Sequence, residues 1–218
     1  MRSVDDAPQK VLAAAKAMLA KGLVEGTAGN ISARQADGTV VITPSSVDYA
    51  AMTLDDLVVI DTDGKVVSAA EGRSPSSEKP LHLACFEAFD DVGAVIHSHA
   101  VHATMFAVAH QSIPACIDEF SIYVGGDVRV TEYAASGTDE MAANVVSALQ
   151  DRGAALIANH GMVAVGPNPD TALHITALVE RSAKIVWGAR QLGPVHEIPP
   201  DVNANFANIY KYLRDNPL

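Results

Sequence analysis

Short apolar runs, bounded by turn residues and separated irregularly by helical stretches, most restrict the folds open to this chain. Thr39-Val40-Val41-Ile42-Thr43, Leu57-Val58-Val59-Ile60, Ala94-Val95-Ile96, Ala154 to Asn159 and Met162 to Val165 all read as strands. Asp61-Thr62-Asp63-Gly64 turns the second of these into Lys65-Val66-Val67, which predicts an antiparallel hairpin. Phe120-Ser121-Ile122-Tyr123-Val124, rich in aromatic and β-branched residues, reads as a further strand before Gly125-Gly126 and Val128-Arg129-Val130. Between them, Val11, Leu12, Ala15, Met18 and Leu19 share one face of a helix over 7–21, with Asp5 or Asp6 as cap and Gly22 as stop. Further helices are predicted from about Glu78 to Phe89 (capped by Ser76 or Ser77), His102 to His110, Thr138 to Arg152 and Pro169 to Leu192. Regular βαβ alternation is missing, so the pattern argues for an α+β-like layered fold around a mainly antiparallel sheet.

A chain of 218 residues suits a single domain, 1–218, with a Pro-rich tail from about 193 that ends in a short helix. Its net charge of −11 argues against wrapping nucleic acid by bulk electrostatics. No run approaches the ~20 apolar residues that span a bilayer, and MRSVDDAPQK lacks the layout of a signal peptide. The expectation is a cytoplasmic protein that binds neither nucleic acid nor membrane. Cys85 and Cys116 both lie in apolar surroundings and read as buried, reduced thiols.

The chemistry is concentrated at strand ends. Ala94-Val95-Ile96 runs into His97-Ser98-His99, and alternation along a strand puts the two imidazoles on one face. A second apolar strand ends in Asn159-His160-Gly161. Three neutral nitrogen donors with room for a further ligand are the donor set of a catalytic zinc site. Glu78, in Pro75-Ser76-Ser77-Glu78, offers a carboxylate that can ligate such an ion or handle a proton. His82, His102, His110, His174 and His196, each taken alone, read as satisfied or surface imidazoles. Gly26-Thr27-Ala28-Gly29-Asn30, leading into Ile31-Ser32-Ala33, is a small-residue loop whose backbone N–H groups can approach an anion closely.

Five motifs in order, Gly26 to Ser32, Ile42-Thr43-Pro44-Ser45, Pro75 to Glu78, His97 to His102 and Asn159-His160-Gly161, resemble the class II aldolase/adducin-head family from about Val11 to Leu192. That resemblance implies an α/β three-layer (αβα) fold with a central, mainly antiparallel sheet flanked by helices. It further implies a homotetramer with active sites at subunit boundaries. Each subunit would carry one Zn2+ on His97, His99 and His160, with Glu78 as ligand and acid/base. Gly29, Asn30, Thr43, Ser45, Ser76 and Ser77 would cradle a substrate phosphate. The implied reaction is reversible cleavage of a ketose 1-phosphate, of the L-fuculose 1-phosphate type, to dihydroxyacetone phosphate and an aldehyde. The family's 4-epimerases usually carry Asp where this chain has Glu78, which leans toward carbon–carbon cleavage. A keto-sugar-acid phosphate decarboxylase and an adducin-head binding module remain alternatives, the latter having no need of the histidines and Glu78. Two departures stand out. After Ile113-Pro114-Ala115 the fuculose-phosphate enzymes place a proton-donating Tyr, whereas this chain reads Cys116-Ile117-Asp118-Glu119-Phe120, leaving Asp118, Glu119 or Tyr123 as candidates. Ser46 stands where a Gly often follows Ser45. Tyr210 and Tyr212 in the tail either dock its helix or close over the site.

Overall fold

The computed structural model describes residues 6–216, so Asp5 lies outside the described residues. Among the described residues eight strands form one sheet: β1 (Asn30–Arg34), β2 (Val40–Ile42), β3 (Val58–Ile60), β4 (Val66–Ser68), β5 (Ala94–Ser98), β6 (Arg129–Val130), β7 (Ala154–Ile157) and β8 (Gly161–Gly166). Their spatial order is β4-β3-β2-β1-β5-β8-β7-β6. Every neighbouring pair is antiparallel except β6 and β7. The three expected layers are present, because each face of the sheet carries its own apolar core. On one face, α1 (Ala7–Ala20), α3 (Val101–Val108) and α6 (Pro169–Leu192) pack on Ile31, Ala33, Ala94, Ile96 and Leu156. On the other, α2 (Lys79–Ala88) and α5 (Asp139–Leu149) pack on Val40, Ile42, Val95, Ala155 and Val163.

Alternation decides what α2 meets. Ile31 and Ala33 of β1 point into the first core, so Asn30 and Ser32 face α2; on β5, His97 follows Val95 to that same face. Asn30 and His97 are direct partners in the β1–β5 register, so their side chains stand side by side. The polar ends of two central strands thus lie under the start of α2.

Three local readings are corrected. Phe120–Val124 is not a strand but most of α4 (Asp118–Val124). Its strand-like composition is overridden by context: Asp118 and Glu119 favour a helix N-terminus, Phe120 and Val124 share a buried face, and Gly125 closes the helix at φ 92°. Cys116 is only half-buried, although both cysteines are free. The N-cap of α2 is Glu78 rather than Ser76 or Ser77, because the Ser76 hydroxyl accepts from the Glu78 N–H before the helix begins. The starts of α5 and α6 follow their residues. The Thr138 hydroxyl accepts a hydrogen bond from the Met141 N–H and the Asn168 side chain one from Thr171 N–H, capping α5 and α6. Asp6 precedes α1 without a side-chain capping bond. The tail forms α7 (Pro200–Asp215), docked by Arg214, whose guanidinium pairs with Asp91 and donates to the Tyr210 hydroxyl. No helix of the described residues is long and apolar enough to cross a membrane.

Candidate active site

His97 is the last residue but one of β5, His99 lies just past the strand's end, and His160 sits in the tight connection between β7 and β8. That connection is fixed from three sides. The His160 N–H donates to Ile157 O, the Ala158 N–H to the Thr131 hydroxyl, and the His110 Nε2–H to Asn159 Oδ1 at 2.6 Å. Asn159 adopts φ 56°, a left-handed conformation that asparagine tolerates. The three imidazoles meet edge to face with centroids 4.7–4.8 Å apart, and one nitrogen of each lies within 4.8 Å of the others.

The donor chemistry suits a divalent ion. A carbonyl only accepts, so the 2.9 Å contact of His97 Nδ1 with Met162 O puts a proton on Nδ1. The lone pair is then on Nε2, 2.9 Å from His99 Nε2. A carbonyl that fixes the tautomer of an imidazole in this way is the outer support usual for a metal-ligating histidine. Burial pushes the His97 and His99 pKa values down, keeping both rings neutral as ligands must be. Gly161 lets the two strands close up at this point: a Cβ there would stand 2.5 Å from Ser98 O and 3.1 Å from His99 Cδ2.

Glu78 is the N-cap residue of α2 and reaches across to the histidines, with Oε2 3.3 Å from His97 Nε2 and Oε1 3.5 Å from His160 Nε2. Asn30 Nδ2 donates to its Oε2 and the Ser136 hydroxyl to its Oε1, both at 2.8 Å. Burial opposes its ionisation, but the His97 imidazole and these hydrogen bonds outweigh it and hold the carboxyl well below the usual carboxylate range.

The stretches expected to cradle an anion converge beside this cluster. An isolated bridge joins Pro44 to Pro75, with the Ser45 N–H donating to Ser74 O and the Ser76 N–H to Thr43 O. Gly29 and Asn30 adjoin through Ile31, whose N–H donates to the Thr43 hydroxyl. Ser45 and Ser77 are exposed, Ser76 accepts from the Glu78 N–H, and the Thr43 side chain is fully buried. Gly29 takes φ 76°, and a Cβ there would stand 2.7 Å from His97 O. The candidates for a second proton donor lie elsewhere in the chain. Glu119 pairs with Arg181, and Tyr123 packs edge-on against His174. Tyr123 shares a small apolar cavity with Gly166 and Tyr210, at the end of β8 away from the histidines, about 17 Å along the strand. Asp118 opens α4 and makes no side-chain hydrogen bond within the described residues. Tyr210 docks α7, and Tyr212 is exposed.

Three contributors escaped the reading of the sequence. His82, treated as an isolated imidazole, lies four residues after Glu78 and so on the same helix face; that spacing was a usable signal. Glu180 of α6 accepts from the His102 and Ala103 N–H groups and contacts His102 Nδ1 at 2.6 Å, capping α3 just beyond His99. Ser136 arrives on a loop that nothing local marks.

Three imidazoles focused on one point and able to hold a metal ion, a carboxylate across from them and converging hydroxyl-bearing loops mark an enzyme site on an αβα scaffold. The chain belongs to the Class II Aldolase and Adducin N-terminal domain family, whose model matches residues 9–187. It is an enzyme of the aldolase branch, a lyase. It is 35% identical over 203 residues to the 5-methylthioribulose-1-phosphate/5-deoxyribulose-1-phosphate aldolase of Rhodospirillum rubrum, covering 93% of this chain and 90% of that one. With the L-fuculose phosphate aldolase of Escherichia coli K12 it shares 38% identity over 164 residues, 75% of this chain and 74% of that one. A solved structure of L-fuculose 1-phosphate aldolase superposes with a TM-score of 0.89 at 35% identity, covering 97% of this chain and 98% of that one.

Proposed function

We propose that this chain is a zinc-dependent aldolase that reversibly cleaves a ketose 1-phosphate to dihydroxyacetone phosphate and an aldehyde. The observation that carries the reading is the Glu78 carboxylate, facing His97 and His160 at 3.3 and 3.5 Å beside the loops of Gly29, Ser45 and Ser76. His97, His99 and His160, with Glu78 in the substrate-free enzyme, would hold one Zn2+ per subunit. Bound there, the ion would supply a Lewis acid for negative charge developing on the substrate's carbonyl oxygen. Glu78 delivers a proton to C3 of the dihydroxyacetone phosphate half as the C3–C4 bond breaks, and removes it in condensation. The loops that carry Gly29, Asn30, Thr43, Ser45, Ser76 and Ser77 hold the phosphate, with the exposed Ser45 and Ser77 hydroxyls foremost, and so set the distance from that carbon to Glu78.

The second proton donor belongs to the aldehyde half. Asp118, Glu119 and Tyr123 lie away from their own chain's cluster, which fits a homotetramer in which a neighbouring subunit completes each site. The relatives named above act on ketose 1-phosphates that differ in the aldehyde half, and the Cys116 to Phe120 segment is where this chain departs from the aldolase pattern. The test is release of dihydroxyacetone phosphate from L-fuculose 1-phosphate, L-rhamnulose 1-phosphate, 5-deoxyribulose 1-phosphate and 5-methylthioribulose 1-phosphate, before and after chelation and zinc restoration. Zinc-dependent release identifies the aldolase, and the best substrate names the aldehyde. No release from any of them by zinc-loaded protein refutes the reading.

A further inference from the structure

The Asn30 side chain is held from both sides, and only one arrangement of protons satisfies every contact. Its Nδ2 donates to the ionised Glu78 carboxylate, which can only accept. Its Oδ1 therefore faces the other way, onto His82 Nε2 at 2.5 Å, and requires a proton there. His82 is fully buried, and desolvation keeps the ring neutral. Nδ1 is then an acceptor, and the Ser32 hydroxyl, 2.6 Å away, donates to it. Ser32 is itself fully buried on β1, two residues from Asn30 and on the same face. A hydroxyl on a core-facing strand position finds its partner in this ring.

We propose that His82 is a positioning residue whose Nε2–H locks the Asn30 side-chain amide with its NH2 toward Glu78. The lock matters because an amide is nearly symmetric in shape: rotated by half a turn it fits the same space with its oxygen against the carboxylate. Two acceptors would then face each other and Glu78 would lose its donor. With the Ser32 hydroxyl donating to Nδ1, the Nε2–H of His82 makes that rotated form unsatisfied at both ends, since two N–H groups would meet on the His82 side. The second hydrogen of Asn30 Nδ2 remains free for an anionic oxygen of a bound ligand. His82 touches neither the histidine cluster nor Glu78 by hydrogen bond; it acts through Asn30 alone.

The consequence for catalysis rests on Glu78 being the acid/base, so the test has one arm that does not. Nitrogen-15 spectra of histidine-labelled, zinc-loaded protein should show His82 protonated at Nε2 and bare at Nδ1, the opposite tautomer to His97. A His82 ring protonated at Nδ1, or at both nitrogens at neutral pH, overturns the proposal whatever the enzyme's activity. The second arm follows exchange of the C3 proton of dihydroxyacetone phosphate with solvent. His82→Leu should lower the exchange kcat by about 10- to 100-fold, the usual cost of an outer-shell partner, with KM nearly unchanged. His82→Gln, which sets an amide N–H near the position of Nε2, should recover most of that loss. In an Asn30→Ala background His82→Leu should cost nothing further. An equal loss with and without Asn30, or a Gln variant as impaired as the Leu variant, would mean that His82 merely fills the core. If wild-type protein shows no exchange, the function reading fails while the tautomer still decides this one.

Discussion

Replacing Gly161 by alanine adds one carbon atom where β5 and β8 approach most closely. The new Cβ would stand 2.5 Å from Ser98 O, 3.1 Å from His99 Cδ2 and 3.4 Å from His97 Cε1. An ordinary C···O contact is no closer than about 3.3 Å, so roughly 0.8 Å must be found at this point. Ser98 is backbone-paired with Met162 in the β5–β8 ladder, and a backbone carbonyl cannot swing aside as a side-chain end would. The strands must part locally, carrying His97 and His99 with them. Overpacking of this kind costs about 1–3 kcal/mol, and at about 2–4 °C of Tm per kcal/mol for a domain of this size the melt of metal-free protein should fall measurably. The metal site should suffer more, because ligand distances tolerate only about 0.2 Å. A zinc titration against a competing chromophoric chelator should show affinity reduced by at least about tenfold. Gly188→Ala is the control: on α6 a Cβ at that position meets nothing within 4 Å, so helix propensity should raise stability by up to about 1 kcal/mol and leave zinc affinity unchanged. A Gly161→Ala protein with wild-type Tm and wild-type zinc affinity would show that the strands yield freely, and the reasoning from the close approach would be wrong.

Replacing Glu78 with Gln should leave zinc content intact while slowing C3 proton exchange by at least about 100-fold, measured by deuterium washout from dihydroxyacetone phosphate. Ser136→Ala removes the donor to Glu78 Oε1; the acid limb of the exchange profile should move up by less than about one pH unit, since Ser136 is exposed and the bond is screened. Chelator-treated protein should lose stability on acidification. His82 is held at about 3 in the fold against an ordinary value of 6.5, and His97 is also depressed. Below pH 6.5 the unfolded chain therefore binds protons that the folded one refuses, and stability falls as pH drops from 6.5 toward the folded values. Each such group contributes a slope of up to about 1.4 kcal/mol per pH unit; denaturant midpoints flat between pH 7 and 5 would contradict the buried, neutral imidazoles.

The sequence disclosed the elements whose ends carry their own signals. Pro169 after the Asn168 cap gives the start of α6, and Thr138 followed by two acidic residues gives that of α5. It misled at Phe120–Val124, where β-prone side chains sit in a short helix because the buried spacing and the left-handed Gly125 outweigh local preference. Strand β1 was only half visible, since Asn30-Ile31-Ser32 alternates polar and apolar in the middle of a sheet, where both faces are covered. Asn30 and Ser32 are buried there, but against the hydrogen-bonding groups of His82 and Glu78. Polarity on a central strand looked like a loop because the partner that satisfies it is about 50 residues away.

The same separation explains which part of the site could be read. His97 and His99 announce themselves because they bracket the end of one strand, and the face they share needs no tertiary knowledge. Glu78 and His82 share a helix face for an equally local reason, yet only Glu78 drew attention, since a single imidazole in a helix has no visible partner. Register supplies that partner: β1 lies antiparallel to β5, so Asn30 falls opposite His97 and directly beneath the turn that carries Glu78. Ser136 depends on still less local facts, for its loop reaches Glu78 only after β6 has paired in parallel with β7. Groups that would touch the ion therefore follow from local structure, strand period for His97 and His99, a strand-end turn for His160 and a helix start for Glu78, whereas groups that orient Glu78 depend on strand pairing. Substitutions at Asn30, Ser32, His82 or Ser136 should accordingly alter how Glu78 works while leaving the three imidazoles able to bind zinc.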